Sequence, residues 1–146
     1  MIKLHKIDRD NFHHVLELSV FDEQNDFIAN NCYSLAQAKV QPECVPLAIY
    51  NDDELVGFIM YCMDYDDNEY WIYRIMIDRK HQKKGYGKLA MLQVLEILQQ
   101  DKEHSKIYIS FKPENEGARR LYESLAFTPD GRVIDGEIVY FFNYRA

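Results

Sequence analysis

Cysteine is scarce in this chain, with Cys32, Cys44 and Cys62 alone among 146 residues. The number is odd, the spacing is wide and no CxxC occurs, which excludes a disulfide framework and points to reduced thiols in a cytoplasmic protein. The five histidines fall at no ligand spacing with those cysteines, so no metal is expected. Positive charge is also in deficit. The net charge of −7 lacks the basic footprint that nucleic acid requires, and no nucleic-acid partner is expected. Long apolar runs are missing: stretches such as Ile75–Ile77 are far too short to span a bilayer, and "MIKLHKIDRDNF" has no signal-peptide core. Internal repeats, linkers, low-complexity tracts and a GxxxxGK[ST] phosphate loop are all absent.

What is present suits one domain over residues 1–146. Hydrophobic residues make up 47% of the chain and aromatic residues 14%, enough for a sizeable core. The acidic surplus suits a cationic partner, or is no more than the surface of an ordinary acidic protein.

Periodicity gives a mixed α/β order. "IKLHKI" (2–7) alternates as a strand. Asp10 is placed to cap a helix carrying Phe12, Val15, Leu16 and Ser19, and a second helix is expected from Ser34. Residues 45–63 read as two strands about a turn at Asn51–Glu54, where Asn and Asp tolerate tight backbone angles. "YWIYRIMID" (70–78) is apolar on both faces and should be central. Leu89, Leu92, Leu95 and Leu98 recur within a helix expected over Gly87–Gln100. "KIYISF" (106–111) is a buried strand. Asn115 can cap a helix with Ala118, Leu121, Tyr122 and Leu125 on one face, and residues 131–144 form a hairpin around Asp135–Gly136. The early strands should pair antiparallel, and the strand–helix–strand over 70–111 should be parallel.

The stretch "QKKGYGKLAM" (82–91) carries the first chemical signal. Gly85 to Ala90 fits G-x-G-x-x-[GA], but six polar residues separate it from the preceding strand, which a dinucleotide fold does not allow. Two readings stay open. One is a lysine-rich turn. The other is a diphosphate loop, in which the unpartnered amides of a helix start, its dipole and Lys83, Lys84 and Lys88 attract an anion that glycine lets approach.

Q-x-x-G-x-G after "RIMID" resembles the acetyl-CoA motif of the GNAT superfamily of N-acetyltransferases. "NEGARRLYESLAF" (115–127) resembles that superfamily's next motif, N-x-x-A-x-x-x-Y followed by L-x-F. The resemblance implies one N-acetyltransferase domain, its mostly antiparallel sheet containing one splayed parallel pair and flanked by about four helices. It implies acetyl-CoA as cofactor, with the diphosphate on Gln82, Lys83, Lys84, Gly85, Tyr86, Gly87 and Lys88 and the pantetheine arm along Ile75, Met76 and Ile77. Asn115 and Ala118 would border that arm. Tyr122 would protonate the leaving thiolate, or it only packs the core. An amide near Met76 would polarise the thioester carbonyl. The base is open: Glu69 could act through water and Tyr73 through a relay, while Arg74 stands where relatives carry an acid. Ala126 replaces the glycine frequent before Phe127, which should alter a helix cap rather than the chemistry.

Residues 21–38, with "FIANN" and "YSLAQA", resemble bacterial spermine/spermidine acetyltransferases, which implies a small polyamine as partner. Asp22, Glu23 and Asp26, with Tyr33, are candidate contacts. So is "DYDDNEY" (64–70), with Asp64, Asp66, Asp67 and Glu69 beside Tyr65 and Tyr70, where carboxylates pair cations and rings accept them. Each cluster is otherwise a solvated acidic loop. The superfamily frequently dimerises, and "VYFFNY" (139–144) could be an apolar edge strand for a homodimer.

Overall fold

The computed structural model describes residues 1–145. The elements run β1 (Ile2–Lys6), α1 (Phe12–Glu17), α2 (Asn31–Val40), β2 (Cys44–Asn51), β3 (Glu54–Asp64), β4 (Glu69–Ile77), α3 (Tyr86–Leu98), β5 (Lys106–Phe111), α4 (Glu116–Ser124), β6 (Thr128–Ile134) and β7 (Glu137–Asn143). One sheet contains all seven strands in the order β1-β2-β3-β4-β5-β7-β6. Every neighbouring pair is antiparallel except β4–β5, so the mixed α/β architecture with one parallel pair stands as expected. Both expected hairpin turns form, with Asp52 at φ 53° and with Asp135 and Gly136 at φ 51° and 81°, left-handed angles that Asp and Gly tolerate.

The sheet is buried on both faces. Under α3 and α4, residues such as Ile59, Ile72, Met91, Val94, Leu95, Ile107 and Phe127 pack into the larger core. Under α1 and α2 a smaller one gathers Val15, Ala48, Phe58, Met60 and Met76. β4 contributes to both, which explains its apolar character on two sides.

Four expectations are corrected. Leu89 and Leu92 are about half exposed, and α3 instead buries Ala90, Met91, Val94, Leu95 and Leu98. Steps of three drift around a helix, so Leu89 and Leu98 lie roughly half a turn apart. Asp10 does not cap α1. The N-cap is Asn11, whose amide bonds Asp8 Oδ1 at 3.1 Å, and the helix ends before Ser19. α2 begins ahead of Ser34, because Asn30 caps it by accepting from the Tyr33 amide at 2.7 Å. The segment 139–144 is no edge: β7 lies between β5 and β6, and the sheet ends at β1 and β6.

Candidate active site

β4 and β5 are paired only through Tyr70, Trp71 and Ile72 against Ile107, Tyr108 and Ile109. Beyond that point β4 follows β3 and β5 follows β7, so the two strands part into a V with its vertex at Ile72 and Ile109. The β4 edge from Tyr73 to Ile77 faces the gap without a ladder partner. A bulge lies at the same place: Ile72 pairs Tyr61 and Arg74 pairs Met60, leaving Tyr73 between them. The extra residue turns both Tyr73 and Arg74 toward α2. Tyr73 joins the smaller core, and Arg74 Nη2 donates to Gln37 Oε1 at 3.1 Å.

A cleft of about 620 Å³ occupies this opening. It is lined by Ile75, Ser110, Asn115, Tyr122 and Glu137 around the parted strands, by Phe27 and Ile28, and by Asp64, Asp66, Asp67, Trp71 and Tyr73 at a rim formed by the β3–β4 turn and the start of β4. Asn115 Oδ1 accepts from the Ala118 amide at 3.1 Å, which fixes the start of α4 against the cleft. Tyr122 is 5% exposed and its ring packs between Phe111 and Phe127. Burial, with a smaller contribution from the Glu137 charge, pushes its hydroxyl well above the ordinary tyrosine range. That hydroxyl therefore keeps a proton to give. Glu137 Oε1 accepts from Ser110 Oγ at 2.8 Å, and Ser110 directly follows the last β5 residue paired to β4.

The rim is tied together by hydrogen bonds. Tyr73 donates its hydroxyl to Asp64 Oδ2 at 2.6 Å and accepts from Gln41 Nε2 at 3.1 Å. Burial first, and the Asp64 bond second, raise its pKa far above the usual value, so Tyr73 also holds its proton. Asp64 Oδ1 accepts from the Asp66 amide at 2.8 Å. Asp67 accepts from the Trp71 indole at 2.9 Å and from the Glu69 amide at 3.0 Å. Arg74 donates to the Tyr73 carbonyl at 2.8 Å and lies 5.8 Å from the Tyr33 ring centroid, and its buried Nε has no partner among the described residues. Burial lowers its pKa.

The glycine loop lies at the open end of the V. Gln82 Nε2 donates to the Ile77 carbonyl and to Gln24 Oε1, both at 2.9 Å, so its side chain ties the loop to the end of β4. Lys83 and Gly85 adopt φ of 63° and 84°, and the chain turns sharply into α3 with Gly85 as N-cap. The first helical bond runs from the Leu89 amide to the Gly85 carbonyl, which leaves the amides of Tyr86, Gly87 and Lys88 without intrahelical acceptors. The Tyr86 hydroxyl accepts from Asn51 at 3.0 Å, so this side chain is engaged in the fold and its backbone is what remains available. A Cβ at Gly87 would meet only ordinary contacts, at 3.7 Å from Ile77 and 3.8 Å from Leu121, so packing within the protein does not demand glycine there. Lys83, Lys84 and Lys88 are exposed around these amides. Free amides, lysines and an unpaired strand edge in continuity fit a diphosphate carrying a pantetheine-like arm.

Of the residues singled out in the sequence, the cleft brings together Tyr73, Ile75, Asn115 and Tyr122, with Asp64, Asp66 and Asp67. Met76 and Ile77 share the β4 edge by backbone only, the Met76 side chain lying in the smaller core, and Ala118 packs against the larger one. Glu69 is outside the lining, at the start of β4 opposite Asp64. Asp22, Glu23 and Asp26 are exposed and also outside it; Gln24, beside them, bonds Gln82, which puts their segment next to the glycine loop. Tyr33 and Tyr65 are exposed by 59% and 70%, the first beneath Arg74 and the second in the β3–β4 turn. Glu137, Ser110 and Gln37 were not anticipated. Glu137 reads as the polar opening of an apolar strand, and only the packing of β7 beside β5 brings its side chain to Ser110, next to the vertex.

The sequence profile of the Acetyltransferase (GNAT) family matches residues 2–127. A spermine/spermidine N(1)-acetyltransferase of Bacillus subtilis (strain 168) is 30% identical over 145 residues, covering 94% of this chain and 95% of that protein. Among solved structures, a spermidine N-acetyltransferase from Vibrio cholerae in complex with CoA and spermine superposes with TM-score 0.77 at 16% identity, covering 99% of this chain and 96% of that one. An aminoglycoside acetyltransferase in complex with coenzyme A and kanamycin gives TM-score 0.81 at 17% identity, with the same coverage.

Proposed function

The chain belongs to the acetyltransferase (GNAT) family, and from that premise we propose that it transfers the acetyl group of acetyl-CoA directly to a primary amine of a small polyamine, spermidine or spermine. Acetyl-CoA, the cofactor of the family, supplies an activated acetyl thioester. The residues that would hold it are the amides of Tyr86, Gly87 and Lys88, the lysines around them, and the β4 edge at Ile75–Ile77. Tyr122 holds a proton at its hydroxyl for a departing thiolate. Asn115 keeps α4, and with it Tyr122, against the vertex.

One observation carries the choice of acceptor: the cleft that contains Tyr122 opens onto Asp64, Asp66 and Asp67 interleaved with Trp71 and Tyr73. Polyamines carry ammonium groups at intervals along a flexible chain, which carboxylates pair and aromatic faces accept. Arg74, set in the same cleft, repels a cation. Arg132, also on the wall, stacks over Trp71 and is paired with Asp130 at 2.7 Å, so the field runs from positive at the bulge to negative at the three rim aspartates. It draws the distal ammonium groups outward and leaves the reacting nitrogen inside. The curated Bacillus subtilis relative supports the same acceptor class.

The test is thiol release from acetyl-CoA with spermidine, spermine, kanamycin and a peptide amine. The expected result is kcat/KM for a polyamine at least about tenfold above the others, a margin of roughly 1.4 kcal/mol in transition-state binding. Preference for kanamycin or the peptide would overturn the polyamine assignment. No thiol release with any amine, while CoA binds, would mark a non-catalytic CoA-binding module.

A further inference from the structure

We propose that Glu137 is the base of the reaction, taking a proton from the acceptor ammonium at the vertex of the V. The assignment rests on acetyl transfer as the activity and concerns a residue that the sequence motifs do not touch. A primary amine with pKa near ~10 is protonated at neutral pH and must lose a proton before it can attack.

Four carboxylates line the cleft. Asp64 has both oxygens engaged, one by the Tyr73 hydroxyl and one by the Asp66 amide. Asp67 has both engaged as well, by the Trp71 indole and the Glu69 amide. Asp66 is exposed in the β3–β4 turn, at the mouth. Glu137 differs from all three. Ser110 fixes Oε1, no basic group lies within 4.0 Å among the described residues, and Oε2 has no hydrogen-bond partner there. Of the two candidates read from the sequence, Glu69 is outside the cleft lining and the Tyr73 hydroxyl is already engaged, donating to Asp64 and accepting from Gln41.

The groups facing Glu137 match the task. From α4 comes Tyr122, the proposed acid, and from β4 comes Arg74, both of which feel its charge. β5 contributes Ser110 and α2 the neutral Gln37, while Arg132 and the three rim aspartates are the other charged groups on the wall. A fixed guanidinium beside the reacting nitrogen disfavours its ammonium form and so eases the proton's departure.

R–NH3+ gives one proton to Glu137 Oε2, and the neutral nitrogen attacks the acetyl carbon. As C–N forms and C–S breaks, the Tyr122 proton goes to sulfur. The second surplus proton on nitrogen restores Tyr122, and Glu137 releases its own to water. The sum is R–NH3+ plus acetyl-CoA giving R–NH–acetyl, CoA-SH and H+.

The experiment compares wild type with Glu137→Gln, which preserves shape and the acceptor for Ser110, by kinetics across pH, calorimetric CoA binding and thermal melting. We expect kcat/KM for spermidine to fall by about 100-fold or more near neutral pH, with CoA affinity and melting unchanged. The acid limb of the wild-type profile should move in Glu137→Gln to higher pH, toward the range where the free amine becomes available. Glu137→Asp should keep that limb at reduced kcat, and formate should partly restore Glu137→Ala. An acid limb left at its wild-type position by Glu137→Gln, or one displaced by Glu69→Gln or Asp64→Asn instead, overturns the assignment of Glu137 alone. Absence of wild-type turnover with every amine tested overturns acetyl transfer and this assignment with it.

Discussion

Two side chains in and beside α4 differ in what they do for the molecule. Tyr122 is buried among Phe111 and Phe127, so its ring serves the core whatever its hydroxyl does. Tyr122→Phe keeps that ring. It should lower kcat by about 100-fold while leaving CoA affinity within about twofold. Parallel kinetics and calorimetry check this, and unchanged kcat would remove Tyr122 as the acid. Because its pKa is raised, Tyr122 keeps its proton above the usual tyrosine range, so the wild-type rate should not fall between pH 8 and 10 on its account. Ala126 is the opposite case. It follows the end of α4 at φ 69°, a left-handed angle that costs a residue with a Cβ about 1 kcal/mol. Ala126→Gly should therefore raise stability by about that amount in urea unfolding, with kcat unaltered. Glycine's absence there was visible in the sequence, and its consequence lies in the cap, as the pattern implied.

At the scale of elements, the V depends on how closely β3 holds β4. Gly57 pairs Ile77, and a Cβ there would lie 2.5 Å from the Met76 carbonyl oxygen and 2.8 Å from Ile77 Cδ1. Backbone cannot yield as a side chain can. Gly57→Ala should cost about 1–3 kcal/mol and, by shifting the β4 edge, weaken CoA binding as well. Urea unfolding and calorimetry on the same variant read the two effects. Gly57 carried no signal in the sequence, since a lone glycine within "ELVGFIM" does not reveal what its missing side chain would strike. Strand positions were legible because alternation and β-branched runs set them locally, and so was the Asn115 cap. The phase of α3 was misread because four leucines spaced by three suggest a face that the helix does not present. The bulge at Tyr73 and the place of Glu137 were illegible for a different reason: both depend on strand register, within the β3–β4 hairpin and between β5 and β7, which local composition does not reveal.

The whole molecule sorts its charge. Lys83, Lys84 and Lys88 lie around the start of α3 and the carboxylates along the β3–β4 rim of the cleft, within a chain of net charge −7. Polyamine capture at an exposed rim should be screened by salt. KM for spermidine should rise severalfold between 50 and 500 mM salt, and Asp66→Asn should raise it and flatten that dependence. Asp22→Asn with Glu23→Gln should do neither, because these exposed residues lie outside the cleft. Here the sequence supplied two acidic clusters and no means of ranking them; the fold ranks them by which one borders Tyr73 and Trp71.

All of this requires that the unpaired amides at the start of α3 and the free edge of β4 together receive coenzyme A. Titration of the isotopically labelled protein with CoA, followed by amide NMR, tests it most directly. Saturable shifts are expected at Tyr86, Gly87 and Lys88 and along Ile75–Ile77, with little change on β1 and β2. Shifts confined to another surface, or none at concentrations that saturate the enzyme, would contradict it.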